Sequence, residues 1–322
     1  ERKLALTAGW GFLGDPPIGS QISLENDYSG YVIRNRRFFH LPDLPANVHG
    51  FDRPWVASLV DYQCYEALPL ISKKQVKGVL ELFFDQNFRP NNEWIDFLHA
   101  TATEIAIAMD NMELLEQLQH SNQDLVRAYD ATIEGWSRAL ELRDQETEGH
   151  AQRVVDLTLK LAQLCGLPPE QMPHIRRGAL LHDIGKVAIP DSILFKTGPL
   201  SLEERDVMRN HPIYAYKLLS PIEYLRPALE IPYCHHEHWD GSGYPRGLAG
   251  TDIPLEARIF TLVDVWDALC SDRTYRAAWS NDEVRAYMLE QSGKILDPQV
   301  VEKFFTNILG EPPTRKTRHN KS

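Results

Sequence analysis

Most of the chain's 12 histidines fall after residue 145, several of them beside carboxylates. Glu146 and His150 stand four residues apart. On a helix that spacing puts both on one face, where they could share a metal ion. A solvated surface pair would look the same. His182-Asp183 sits in the apolar run Leu180-Leu181-His182-Asp183-Ile184-Gly185-Lys186, which reads as helix. Burying such a pair without partners is costly. A divalent ion removes the cost, since imidazole nitrogen and carboxylate oxygen both ligate it and a carboxylate can bridge two ions. A hydrogen-bonded core pair is the alternative. His211, followed by Pro212, would alone pass as structural. His235-His236 open the run that ends Gly241-Ser242-Gly243-Tyr244-Pro245. Neighbours on a helix diverge by about 100°, so these two histidines are expected to aim at different metals. Asp264 interrupts the apolar helix face Thr261 to Leu269, and Asp267 follows three residues later. The Gly-Ser-Gly-Tyr-Pro stretch reads as a tight turn, and its glycines would also let backbone approach a ligand.

The elements that must position these groups are helical. Residues from about 143 to 310 read as helices punctuated by Pro and Gly, among them Val154 to Leu164, Ile175 to Leu181, Leu202 to Arg209, Ile259 to Leu269 and Asn281 to Glu290. From Asn92 to about Leu142 there is no Pro, and Gly135 is the single Gly. Apolar residues recur there at three- and four-residue steps, from Ile95 and Leu98 through Met112 to Leu118, Leu125 and Ile133. One long helix, or two nearly continuous ones, is expected. About 50 residues of helix exceed one compact domain, which points to a dimeric coiled-coil connector. Residues 1 to about 90 read as an α/β domain with long loops, with strands at Leu59-Val60, Tyr65 to Leu70 and Val76 to Phe84. No internal repeat is evident. The tail, Arg315 to Ser322, is basic and expected to be disordered.

Composition narrows the class. A hydrophobic fraction of 43% and a charged fraction of 25% are those of a soluble globular protein. No apolar run of about 18 residues occurs, so no membrane span is expected. Glu1-Arg2-Lys3-Leu4 is not followed by the apolar core of a signal peptide. No initiator Met is present, so the first domain is expected to lack its opening elements. Cys64, Cys165, Cys234 and Cys270 form no CxxC pair, which suits a reducing cytoplasm. A net charge of -11 argues against a nucleic-acid polymer as partner. An anionic small substrate fits if metal ions or a few arginines supply local positive charge.

The ordered set His150, His182-Asp183, His211, His235-His236, Asp264 resembles the HD superfamily in its HD-GYP branch, over about residues 135 to 310. The matching stretches are HDIGK at 182 to 186, HP at 211 to 212, HHEHWDGSGYP at 235 to 245, IPLEARI at 253 to 259, DVWDAL at 264 to 269 and RTYR at 273 to 276. The resemblance implies an all-α bundle around two or three divalent ions, iron first and manganese as the alternative, with zinc permitted by the ligand types. Its two-metal core would use His182, Asp183, His211, His235, His236 and Asp264, with Asp183 bridging. Glu146 and His150 would complete a third site. The implied reaction is opening of c-di-GMP to pGpG, or to GMP after a second cleavage, by a metal-bound hydroxide. Asp183 and Lys186 would serve the chemistry. Asp144, Lys186, Gly243, Tyr244, Pro245, Asp267, Arg273 and Arg276 would line the substrate, the two arginines contacting phosphate; surface charge is the plain alternative for them. Another cyclic dinucleotide such as cyclic GMP-AMP, or a non-catalytic nucleotide-binding scaffold, would keep much of this pattern.

The strand pattern around Ala67 to Leu70 and Lys77 to Phe83, with the long helix after it, resembles the late strands of a GAF domain. The expected architecture is α+β. A GAF-like sensory or dimerisation domain (1–112) leads through a connector helix (113–142) to an HD-GYP phosphodiesterase domain (143–312) and a disordered tail (313–322). A cytoplasmic homodimer, joined through the GAF-like domain and the connector, is the expected assembly.

Overall fold

A computed structural model describes residues 3–11, 18–53, 55–56, 61–144, 149–272 and 277–310. The chain is mostly helical with two small sheets. It divides into two compact units, Glu1–Asp124 and Leu125–Ser322. Among the described residues no helix is long and apolar enough to cross a membrane.

In the first unit β1 (Lys3–Ala5) and β2 (Gln21–Ser23) form an antiparallel pair. A second, three-stranded antiparallel sheet has the order β3 (Phe39–Leu41), β4 (Cys64–Ser72), β5 (Gln75–Phe84). The expected strands at Tyr65 and Val76 lie within β4 and β5. Leu59-Val60 lies outside the described residues. Central β4 is buried on both faces, which explains its unbroken apolar run. Tyr65 and Ala67 pack among α1 (Tyr28–Asn35) and α2 (Leu44–Asn47). Leu68 and Leu70 meet Leu98, Ala102 and Ala106 of α3 (Asn92–Asp144). This helix is continuous over 53 residues, or roughly 80 Å at 1.5 Å per residue.

A buried charge network ties the unit together. The Arg53 guanidinium, under 5% exposed, bonds Asp27 at 2.9 Å and Glu81 at 2.7 Å. Glu81 also accepts from Ser29 and Tyr65. Burial opposes its charge, but the Arg53 contacts win and hold its carboxyl below the ordinary 4.5. A depressed folded-state value means stability that is present above pH 4.5 and lost as pH falls through the folded value. Glu81→Gln is therefore expected to destabilise this unit by about 2 kcal/mol at pH 7 and to flatten its acid sensitivity. Urea unfolding with hydrogen exchange at β4 and β5 checks this; a variant as acid-sensitive as the parent would refute it.

The second unit is helical: α4 (His150–Leu164), α5 (Met172–Leu180), α6 (Asp191–Leu194), α7 (Leu202–Met208), α8 (His211–Leu219), α9 (Glu230–Cys234), α10 (Leu255–Cys270), α11 (Asn281–Gln291) and α12 (Pro298–Lys303). Their apolar stripes share one core, with Leu161, Leu181, Phe260 and Phe304 among its fully buried members. The sequence places HDIGK inside a helix, and the structure corrects this. The α5 helix stops at Leu180, His182 and Asp183 form a turn, and Ile184–Ala188 is a 3-10 segment. Gly185 explains the break. A Cβ there would sit 1.9 Å from the carbonyl oxygen of His211, so this turn packs backbone to backbone on the start of α8.

Candidate metal centre

Helix ends converge here. His150 and His211 are the first residues of α4 and α8. His182-Asp183 follow the end of α5, and His235-His236 follow the end of α9. Asp264 and Asp267 alone sit within a helix, three residues apart on α10. Side chains at a helix end can point along its axis, so four elements meet without four helices crossing at one point.

Two ligand groups result. Asp183, His211, His235 and His236 offer donor atoms within 4.8 Å of one another, and so do His150, His182 and Asp264. This departs from the expected division in two ways. His182 and Asp264 join His150 instead of the core set. The adjacent His235 and His236 fall in one group, not two, because α9 has already ended before them. Asp183 touches both groups: Oδ1 lies 3.2 Å from His211 Nε2 and 3.7 Å from His235 Nε2, while Oδ2 lies 3.1 Å from His182 Nε2. Glu146, Arg273 and Arg276 lie outside the described residues.

Hydrogen bonds fix which nitrogen faces inward. Nδ1 of His182, His211 and His235 lies 2.8, 2.9 and 3.1 Å from the carbonyl oxygens of Ala179, Met208 and Ile231. A carbonyl only accepts, so each Nδ1 carries the proton, and a neutral ring then presents a bare lone pair at Nε2. Burial pushes His235 and His236 below the ordinary histidine range, which keeps them neutral. His211 and His235 point Nε2 at each other across 3.3 Å. Asp183 Oδ1 stands beside them, buried and without a hydrogen bond. Lone pair against lone pair against carboxylate is repulsive. A cation among them turns each repulsion into a bond, so the donor set fits a divalent ion.

The surrounding charge fits as well. Lys186 Nζ lies 2.6 Å from Asp183 Oδ2 and 3.0 Å from Asp144 Oδ2. Burial opposes the Asp183 charge, but Lys186 and His182 prevail and hold its carboxyl well below the usual range. Among the described residues, Asp144, Asp183, Asp264 and Asp267 face two cationic side chains, Lys186 and Arg153.

Asp267 is engaged by His150 and Arg153. One oxygen lies 2.7 Å from His150 Nδ1, and Arg153 holds both oxygens, at 2.8 and 3.0 Å. Burial notwithstanding, these partners lower its carboxyl to about 2. Asp267 thus orients His150, whose Nε2 lies 3.7 Å from Asp264. Asp144 bonds Lys186 at 3.0 Å. Sequence reasoning missed Arg153, although it stands one turn from His150 on the same helix. It also missed Glu237, a buried carboxylate that accepts from the backbone N–H of Arg246 and Leu248 at 2.7 and 2.9 Å. Glu237 fastens the Gly243-Tyr244-Pro245 loop beside His236. Tyr244 stacks on His236 with ring centroids 4.8 Å apart, and the Arg209 guanidinium lies 5.4 Å from its centre. At Gly243 a Cβ would meet His238 N at 2.3 Å, so only glycine fits.

A helical unit that gathers histidines and aspartates at its helix ends defines a metal-binding class of protein. Residues 135–300, just over half the chain, match the HD domain family. The chain belongs to the HD domain family. It is 36% identical over 232 residues to 3'3'-cGAMP-specific phosphodiesterase 2 of Vibrio cholerae, which covers 71% of this chain and 43% of that protein. It is 40% identical over 193 residues to the cyclic di-GMP phosphodiesterase response regulator RpfG of Xanthomonas campestris, covering 59% and 51%. A cyclic di-GMP phosphodiesterase of Vibrio cholerae is 38% identical over 213 residues, covering 62% and 43%. The chain spans about half the length of these curated relatives.

Proposed function

We propose that the chain is an HD-GYP-type phosphodiesterase that hydrolyses c-di-GMP to pGpG, GMP or both. The observation that carries this is the pair of ligand groups joined at Asp183, with bare Nε2 atoms turned onto a buried carboxylate. One ion would be held by Asp183, His211, His235 and His236, and another by His150, His182 and Asp264. The family resemblance would have Glu146 complete a third site with His150. Iron is the first choice of ion and manganese the second. When bound, such ions supply Lewis-acid neutralisation of the phosphodiester and a more acidic water.

The chain's own groups do the rest. Lys186 sets a positive charge beside Asp183, where it would meet a phosphoryl oxygen. Asp144 keeps Lys186 in place. Asp267, itself held by Arg153, accepts the His150 Nδ1 proton and so would orient Nε2 toward an ion. Tyr244, with Gly243 and Pro245, would wall the guanine side of the site. Arg273 and Arg276 would grip the second phosphate. The names of the Xanthomonas and Vibrio relatives support a cyclic dinucleotide. The Vibrio relative named for 3'3'-cGAMP favours that ligand as a second reading. The sheet of β3 to β5 followed by a long helix supports a GAF-like sensory or dimerisation role for residues 1–112, with 113–142 as the connector of a cytoplasmic homodimer.

Protein prepared without oxygen and loaded with iron(II) or manganese(II) is expected to convert c-di-GMP to linear product faster than 3'3'-cGAMP. Faster turnover of the mixed dinucleotide would move the assignment to the second reading. No hydrolysis of either by metal-replete protein would leave a binding scaffold.

A further inference from the structure

The last turn of α3 holds segments from both ligand groups. Residues 125–144 of this helix belong to the second unit, and Glu141, Arg143 and Asp144 lie at its end. Asp144 takes the ammonium of Lys186 at 3.0 Å. Its neighbour Arg143 takes the backbone beyond that lysine. Nη1 donates to Val187 O at 3.0 Å, and Nη2 donates to Ile189 O at 3.3 Å and to Asp191 Oδ1 at 2.8 Å. The 3-10 segment that follows Asp183 is thus held by its lysine and by its trailing end, from adjacent residues.

Glu141 stands three residues before Asp144, on the same face of the helix, and holds the other group. A helix leaves its first N–H groups without partners of its own, and the residue just before it commonly takes one with its side chain. Before α4 that residue is Gly149, which has no side chain to do so. Instead Glu141 Oε1 accepts from Ala151 N at 3.0 Å. A carboxylate there also suits the positive end of the helix dipole. Ala151 directly follows His150, so the cap beside this histidine comes from α3.

We propose that Glu141 and Arg143 are positioning residues of the metal centre, and that one helix end sets the gap between its two ligand groups. Glu141 fixes where α4 begins, and with it His150. Arg143 fixes the run from Ile184 to Asp191, and with it Asp183. The two roles ask for different chemistry. Glu141 needs only an acceptor, which glutamine also offers. Arg143 needs its planar fork, which lysine lacks although it keeps the charge. This inference rests on the metal centre of the function proposed above and not on the substrate.

The test strips the full chain of metal, loads it with manganese(II) without oxygen, desalts it and counts ions per chain. Glu141→Ala is expected to keep one ion fewer than the parent. The ion lost is the one assigned to His150, His182 and Asp264, with affinity at least about tenfold weaker. Glu141→Gln is expected to keep the parental content. Arg143→Ala should weaken both groups, because Asp183 reaches each of them, and Arg143→Lys should not restore them. Ile133→Val, a buried change in the core of the same unit, is the control for stability. It should lower the Tm and keep every ion. Full content in Glu141→Ala, or equal loss in Glu141→Gln, overturns the role of Glu141. Parental content in Arg143→Lys overturns the role of Arg143. Ion loss in Ile133→Val reduces both to general stability and overturns the inference. Ion content is read apart from turnover, so each of these failures leaves the phosphodiesterase reading standing, whereas a parent chain that binds no ion overturns both.

Discussion

Asp183→Asn is expected to lower kcat/KM for phosphodiester hydrolysis at least about a thousandfold, about 4 kcal/mol of transition-state stabilisation. Asparagine keeps the shape and loses the charge. One oxygen of Asp183 faces His211 and His235, and the other faces His182 and Lys186. Its two carboxylate oxygens thus reach one ligand group each. A neutral amide cannot hold two cations together, and its NH2 would turn a donor toward a lone pair or toward Lys186. Metal content should therefore fall together with activity, and elemental analysis of the purified variant measures it. Full metal occupancy with near-parental turnover would refute the bridging role.

The second large effect lies one turn away, at a residue with no side chain. Gly185→Ala is expected to destabilise the second unit by about 3 kcal/mol and to lose the centre with every ligand still present in the sequence. The added Cβ would meet His211 O at 1.9 Å and Ala215 N at 2.7 Å. Both are backbone atoms in α8, so neither can swing aside. The 3-10 segment and α8 must part, which draws His211 away from Asp183. Gly135→Ala is the control, because its Cβ meets nothing within 4 Å. Within a helix that change should stabilise by about 0.5–1 kcal/mol. Thermal unfolding and metal titration of the two variants separate packing from ligation; equal behaviour would refute the close-approach argument.

The parts of this site that were legible in the sequence are local. The order of His150, His182-Asp183, His211, His235-His236 and Asp264 survives any small error in helix limits, because ligand types and their sequence order do not depend on them. How the ligands divide was not legible. His182 turns to the His150 side because its ring is pinned to Ala179 O, and that direction depends on where α5 stops. Where α5 stops depends on Gly185 against α8, a contact made in three dimensions. Strands β4 and β5 were visible as apolar runs. The Asp27–Arg53–Glu81 network beneath them was not, since its members lie 26 and 28 residues apart and each alone reads as surface charge. Arg153 was within reach of spacing arguments, three residues after His150.

The pinning of the histidines has a further consequence. The carbonyls that hold His182, His211 and His235 lie three, three and four residues before them. Each ring is set by its own turn of chain, not by the ion it would receive. Ordering of the ligands is thus completed by folding, and an incoming ion meets a cage already in shape. Exchange of one divalent ion for another then becomes a local event that needs no unfolding. With O and N donors that suit several first-row ions, site geometry and supply would together decide the occupant. The same chain would carry different metals in cells with different metal pools.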